Sequence, residues 1–235
     1  MALLLVSVRD VEEALEAVKG GADIVDVKNP LEGSLGAAFP WIISEVRKLL
    51  PSFPLSATIG DFPSLPGSAS LACLGALQAG ADFVKVGLKG PRTREEALSL
   101  LKAVVRTVDF WGKGEAVACA YGDFERAGTL DPFLLPELAA EAGARVVMLD
   151  TAVKDGKPLP SFLSLSELKE FSEKAHSMGL LVALSGSLGE REIEKLKGLA
   201  DVIGVRGAVC PSGRGGKLSP ELVGRLKGLL KDLPR

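Results

Sequence analysis

Residues 20–30 read GGADIVDVKNP: a glycine pair suited to ending a helix, a short apolar run suited to a buried strand, and a loop that opens on Asn-Pro. The same frame returns as AGADFVKVG at 79–87, as AGARVVMLD at 142–150 and, more loosely, as GLADVIGVR at 198–206. A spacing of roughly 60 residues is about the length of two βα units. Four copies therefore imply eight strands, the marked ones being the second, fourth, sixth and eighth.

Working outward from these copies, apolar periodicity and turn residues place strands at 3–8, 23–27, 55–59, 83–88, 116–121, 146–149, 181–184 and 201–205. Helices are expected from Asp10 as N-cap, at 41–50, 69–78, 94–108 and 132–141, at 166–177 with Ser166 as N-cap, at 190–199, and at 220–230 with Pro220 in the first turn. Unbroken strand–helix alternation predicts an α/β chain forming one (β/α)8 TIM barrel over residues 1–235. An open doubly wound sheet is the alternative; the equivalence of alternate strands favours closure. The connection NPLEGSLGAAFP (29–40) is long for a βα loop, and long loops in compact domains are usually functional.

With 47% hydrophobic and 25% charged residues in 235, the chain has ample core and a soluble surface. A net charge of −2 with dispersed Lys and Arg gives no basic field for nucleic acid or an anionic membrane, so neither is expected as a partner. No apolar run has the length of a membrane span, and MALLLVS lacks a basic leader, so it reads as the first strand of a cytoplasmic protein. Cys73, Cys119 and Cys210 are far apart and His176 is the sole histidine, too few ligands for a zinc site. No metal or other cofactor is expected, and His176, before the seventh strand, is assigned a structural role.

Aligned on Ala22, Ala81, Ala144 and Ala200, the copies put Asp26, Lys85, Met148 and Gly204 in one column, and Lys28, Gly87, Asp150 and Arg206 two residues further on. Positions two apart share a strand face, and in a barrel such columns become adjacent interior layers near the C-terminal mouth. Asp26, Lys28, Lys85, Asp150 and Arg206 should then converge. Charged strand ends can equally be surface groups, but Lys85 lies mid-strand, where a buried lysine needs a partner. Two lysines close together in an apolar interior have a chemical use. Burial and a neighbouring cation lower an ammonium pKa, leaving an amine able to form a Schiff base with a carbonyl. This is the equipment of a lyase of the class I aldolase type.

Ser185, Gly186, Ser187 and Gly189 after strand seven, with Arg206 and Gly207 after strand eight, match the phosphate site that barrels often build there. A plain turn is the alternative for the Gly/Ser loop. SGRGGK (212–217) is placed to add contacts.

Across nearly its whole length the chain resembles the (5-formylfuran-3-yl)methyl phosphate synthases of methanofuran biosynthesis, through GGADIVDVKNPLEGSLGAAFPW, LSATIGD, GADFVKVGL, MLDTAVKDGK and GVRGAVC. The resemblance implies Lys28 as the Schiff-base lysine and Lys85 as the proton-transferring group, with Asp26, Asp150 and Lys154 completing the site. It also implies a small-molecule partner, glyceraldehyde 3-phosphate. Two molecules would condense to 4-(hydroxymethyl)-2-furancarboxaldehyde phosphate with loss of phosphate and water. A class I aldolase, a phosphosugar isomerase and a non-catalytic phosphometabolite-binding barrel stay open as alternatives, as does assembly into a homo-oligomer.

Overall fold

A computed structural model describes residues 2–231. Eight parallel strands close into a barrel in sequence order, β1 (Leu3–Val8) pairing with both β2 (Ile24–Val27) and β8 (Val202–Val205). Between them run β3 (Leu55–Asp61), β4 (Phe83–Gly87), β5 (Glu115–Tyr121), β6 (Val146–Asp150) and β7 (Leu181–Leu184). The helices outside are α1 (Val11–Lys19), α2 (Pro40–Leu49), α3 (Pro66–Gln78), α4 (Arg94–Trp111), the short α5 (Phe124–Ala127), α6 (Leu135–Ala142), α7 (Leu165–Ser177), α8 (Glu190–Leu196) and α9 (Pro220–Lys231).

Alternation along the strands decides what enters the barrel. Val25, Val27, Val84, Val86, Val147, Leu149, Ile203 and Val205 face outward into the main core beneath the helices. The residues between them face inward, in the columns expected from the repeat. A second, smaller cluster fills the interior with Val117, Cys119, Tyr121, Met148 and Ala183, roofed by Leu35 from the β2–α2 loop. No helix among the described residues is long and apolar enough to cross a membrane.

The repeat has a physical cause at the opposite end of the barrel. Asp23 takes the amide of Leu4 at 2.7 Å, Asp82 that of Leu55 at 2.9 Å and Asp201 that of Val182 at 2.8 Å. Each carboxylate thus closes an amide in the first two residues of the preceding strand. A basic side chain answers each one: Lys227 at Asp23, Arg47 at Asp82 and His176 at Asp201. His176 is accordingly structural. In the third copy the position is Arg145, which offers Leu181 only its backbone carbonyl.

Some boundaries differ from the sequence reading. The N-cap of α7 is Ser164 rather than Ser166, because Ser164 and Glu167 close a reciprocal pair, Glu167 N donating to Ser164 Oγ and Ser164 N to Glu167 Oε2. Helix α8 stops at Leu196, short of 199, and α5 was not foreseen, four residues being too few to show periodicity. Asp10 caps α1 as expected, accepting from Glu13 N at 2.9 Å.

Asp82→Ala should lower unfolding free energy by about 1–2 kcal/mol, since it strips the partner from a buried amide. Activity per folded molecule should be unchanged, because Asp82 lies at the end of the barrel away from the mouth. Urea denaturation with parallel assays checks both.

Candidate active site

Asp26 and Lys85 face each other across the interior. Lys85 Nζ lies 2.7 Å from Asp26 Oδ2, which also accepts Ser7 Oγ at 2.8 Å, and both partners are essentially without solvent exposure. Burial works against the Asp26 carboxylate, but Lys85, Lys28 and the bonds from Lys85 and Ser7 together hold its pKa below the ordinary aspartate value.

One layer nearer the mouth, Asp150 is held from several sides. Lys154 Nζ sits 2.5 Å from its Oδ1, Thr151 N donates to the same oxygen at 2.7 Å, and Ser34 Oγ lies 3.3 Å from Oδ2. Burial again pushes toward protonation and is outweighed, chiefly by Lys154 and Lys28, so that this pKa too is lowered.

Lys28 is different. It is buried, yet its only polar contact among the described residues is a long one, Nζ to the carbonyl of Ser34 at 3.5 Å. Burial brings its pKa down to about 7; Asp150 and Asp26 oppose the shift, while Lys85 and Lys154 add to it. Burial thus weakens its hold on the proton. That amine borders a cavity of about 340 Å³ whose walls include Lys154, Ser185, Ser187, Gly207 and Arg214.

The expected phosphate residues divide. Ser185, Ser187, Arg206 and Gly207 line this cavity; Gly186 stands between the two serines without being among its lining residues. The turn at 186–187 is sharp: Gly186 has φ +107° and Ser187, the sole non-glycine with positive φ among the described residues, +51°. The Gly189 amide is taken by Glu192 Oε2 at 2.9 Å and so is not offered to a ligand.

Arg206 requires a correction. Its guanidinium does point inward, but every N–H is already committed: Nε to the Arg214 carbonyl, Nη1 to Ser7 O and Glu13 Oε2, Nη2 to Glu13 Oε1 and Gly216 O. Glu13, 4% exposed, is the reason, since a carboxylate buried behind β1 draws the nearest guanidinium. Arg206 is therefore a strut rather than a free clamp. With Arg9, which donates to Gly215 O at 3.0 Å, it grips the loop 214–216. The loop in turn sends Arg214 into the cavity. That guanidinium is half-buried, has its pKa lowered first by burial, and makes one hydrogen bond among the described residues, Nη2 to Gly33 O at 2.7 Å.

Several residues at the mouth were not anticipated. Tyr121 and Asp61, at the ends of β5 and β3, form a close hydrogen bond across Gly87. A Cβ at Gly87 would collide with both, so the missing side chain in the Lys28, Gly87, Asp150, Arg206 layer is filled by this pair. Burial, then Asp61, pushes the Tyr121 phenol well above its ordinary pKa, and it stays protonated. The β2–α2 loop folds over the cluster: Ser34 Oγ donates to Thr151 O at 2.8 Å, Thr58 Oγ1 to Gly36 O at 2.6 Å, and Leu35 is wholly buried. Parity on β5 could have found Tyr121; the other contacts join segments far apart in sequence and carry no local signal.

Arg206→Ala would leave Glu13 buried with Arg9 as its sole cation, and should cost about 3 kcal/mol of stability. The loss should appear as a fall in the urea midpoint even without substrate.

Residues 4–227 match the family model described as 4-HFC-P synthase. The chain is 50% identical over 234 residues to the (5-formylfuran-3-yl)methyl phosphate synthase of Methanocaldococcus jannaschii, covering 97% of this chain and all of that one. It is 49% identical over 232 residues to the enzyme of the same name from Methanothermobacter thermautotrophicus, covering 97% and 98%. Among solved structures, 3-hexulose-6-phosphate synthase superposes with a TM-score of 0.69 at 21% identity, covering 97% of this chain and 99% of that one. The phosphoribosyl anthranilate isomerase of Thermus thermophilus superposes at 0.65 and 19% identity over the whole of both chains. The last two likenesses speak for the fold alone.

Proposed function

The chain belongs to the 4-HFC-P synthase family, a family of TIM-barrel enzymes, and on that premise we propose that it is a Schiff-base lyase condensing two molecules of glyceraldehyde 3-phosphate into 4-(hydroxymethyl)-2-furancarboxaldehyde phosphate. The observation that carries this reading is Lys28. It is a buried lysine without a carboxylate partner at ion-pair distance among the described residues, its pKa is about 7, and it opens on a cavity rimmed by hydroxyls and a guanidinium.

In this reading the Lys28 amine adds to the aldehyde of one triose phosphate and loses water to give an imine. The imine withdraws electrons from the adjacent carbon, so a base can remove its proton and phosphate can depart from the next carbon. The resulting nucleophilic carbon adds to the aldehyde of the second triose. Dehydration and ring closure follow, and hydrolysis frees Lys28. The Lys85–Asp26 pair, one layer below, and the Asp150–Lys154 pair beside Lys28 supply acid and base for these transfers. Arg214, with Ser185, Ser187 and the backbone of Gly207, holds a phosphate. Cytoplasmic location and a soluble triose phosphate as the partner accord with this role.

Three measurements test the reading. Lys28→Ala should abolish borohydride trapping of a triose phosphate adduct, whereas Lys85→Ala should retain some trapping and lose turnover; label on the Lys85 peptide of a Lys28→Ala protein would reverse the roles. Because the neutral amine is the nucleophile, the rate of adduct formation should rise with pH through about 7 and level off above it. A rate that falls over that range would remove Lys28 as the attacking group. Finally, Arg214→Ala should raise KM for glyceraldehyde 3-phosphate by about tenfold or more while lowering kcat less, as loss of a charge-assisted bond made in both ground and transition states requires. An unchanged KM would take Arg214 out of the phosphate site.

A further inference from the structure

A buried carboxylate outside the reacting cluster, Asp123, bears on the loop that carries Lys154 to Asp150. Asp123 lies in the turn after β5 and is 2% exposed. Its Oδ1 accepts the amide of Ala152 at 2.6 Å and its Oδ2 that of Val153 at 3.0 Å. These are the two residues directly before Lys154. Arg126 adds a second tie, placing Nη2 2.9 Å from Asp123 Oδ2 and Nη1 2.7 Å from Asp155 Oδ2, so that the fastened residues flank Lys154 on both sides. Arg126 is itself seated over the Phe162 ring, 4.6 Å from its centroid. On the strand side, Gly122 N donates to Asp150 O at 2.8 Å, which fixes the turn to the end of β6.

We propose that Asp123 is a positioning residue for the imine chemistry: by fastening the amides of Ala152 and Val153 it keeps Lys154 on Asp150, and so keeps Asp150 from pairing with Lys28. The proposal rests on the Schiff-base reading above. The charges that bear on Lys28 include Asp150 on β6, Asp26 on β2, Lys85 on β4 and Lys154 on the loop after β6, and Arg206 and Arg214 line the same cavity. Asp26 is answered by Lys85, Asp150 by Lys154, and Arg206 by Glu13. If Lys154 swings away, Lys28 becomes the cation that acts most strongly on Asp150. Lys28 then loses a repelling charge and gains an attracting one. Both changes favour its protonated form and remove the free amine near neutrality.

Asp123→Asn keeps the side chain's size but turns an N–H group toward either Val153 N and Arg126 or Ala152 N, which breaks the brace. The experiment follows the initial rate of cyanoborohydride-trapped adduct on Lys28, with glyceraldehyde 3-phosphate, as a function of pH for the native chain, Asp123→Asn, Lys154→Ala and the double variant. The acid limb of Asp123→Asn should move to higher pH, with a loss of roughly tenfold at about pH 6.5 and a rate within about twofold of native by about pH 9. The double variant should match Lys154→Ala, because the first residue acts through the second. A loss equal at every pH, an unmoved limb, or effects that simply add would overturn the proposal and leave Asp123 a fold residue. Should Asp123→Asn not fold, Arg126→Gln, which removes the tie across Lys154, is read by the same criteria. Absence of any adduct in the native chain would instead overturn the imine reading itself.

Discussion

Three ammonium groups share two carboxylates inside this barrel, and the chemistry depends on how they pair. Asp26 goes to Lys85 and Asp150 to Lys154, each at hydrogen-bond distance. Lys28 is left over, buried with a weak carbonyl contact. Holding an uncompensated charge in a dry interior is costly, and the cluster relieves it most readily by letting one lysine lose its proton. The lysine that gives way is the one without a short ion pair. In the proposed imine chemistry this is the nucleophile, prepared by charge arithmetic rather than by an adjacent base.

That pairing presupposes that strand parity is never broken. A one-residue slip in β2 would send Asp26 and Lys28 into the apolar layer beneath the helices and bring Val25 and Val27 inward. The carboxylates at the other end resist such a slip. Asp23 and Asp82 tie the starts of β2 and β4 to amides at the starts of β1 and β3, with Lys28 and Lys85 further along the chain. The repeated Gly-Ala-Asp frame thus records a register device, and the reactive residues sit at fixed distances from it.

This is why the sequence could be read so far. The repeat disclosed the barrel, and its columns brought Asp26, Lys28, Lys85 and Asp150 to one opening, because parity and register are properties of short stretches. Identification of Lys154 came from family resemblance. Arg206 was misjudged for a nonlocal reason: its column was right, yet its side chain bends to Glu13, 193 positions away in sequence, and no spacing rule reveals a buried acid on α1. Arg214 lies in the run 212–217, which was placed to add contacts without any one side chain being singled out. The Asp61–Tyr121 pair depends on an absence, since both residues reach one another only because residue 87 has no side chain.

The β2–α2 loop binds these threads together. Its Leu35 caps the interior cluster, Ser34 joins Lys28 to the Asp150–Thr151 turn, and Gly33 O accepts Arg214. Each contact serves a different requirement. Leu35 keeps water from the Lys85–Asp26 pair, whose attraction is strong only at low effective dielectric. Ser34 fixes the spacing between the amine and the carboxylate that must not capture it. Arg214 links the loop to the far wall of the cavity, so that in the proposed reaction an anion drawing on the remaining N–H groups of that guanidinium would act on the same side chain that seats the roof over Lys28. Substrate binding and exclusion of water from the proposed imine would then share one residue. A free aldehyde lacking phosphate would have no comparable hold on that roof, which would give the phosphate a part in the proposed reaction beyond affinity.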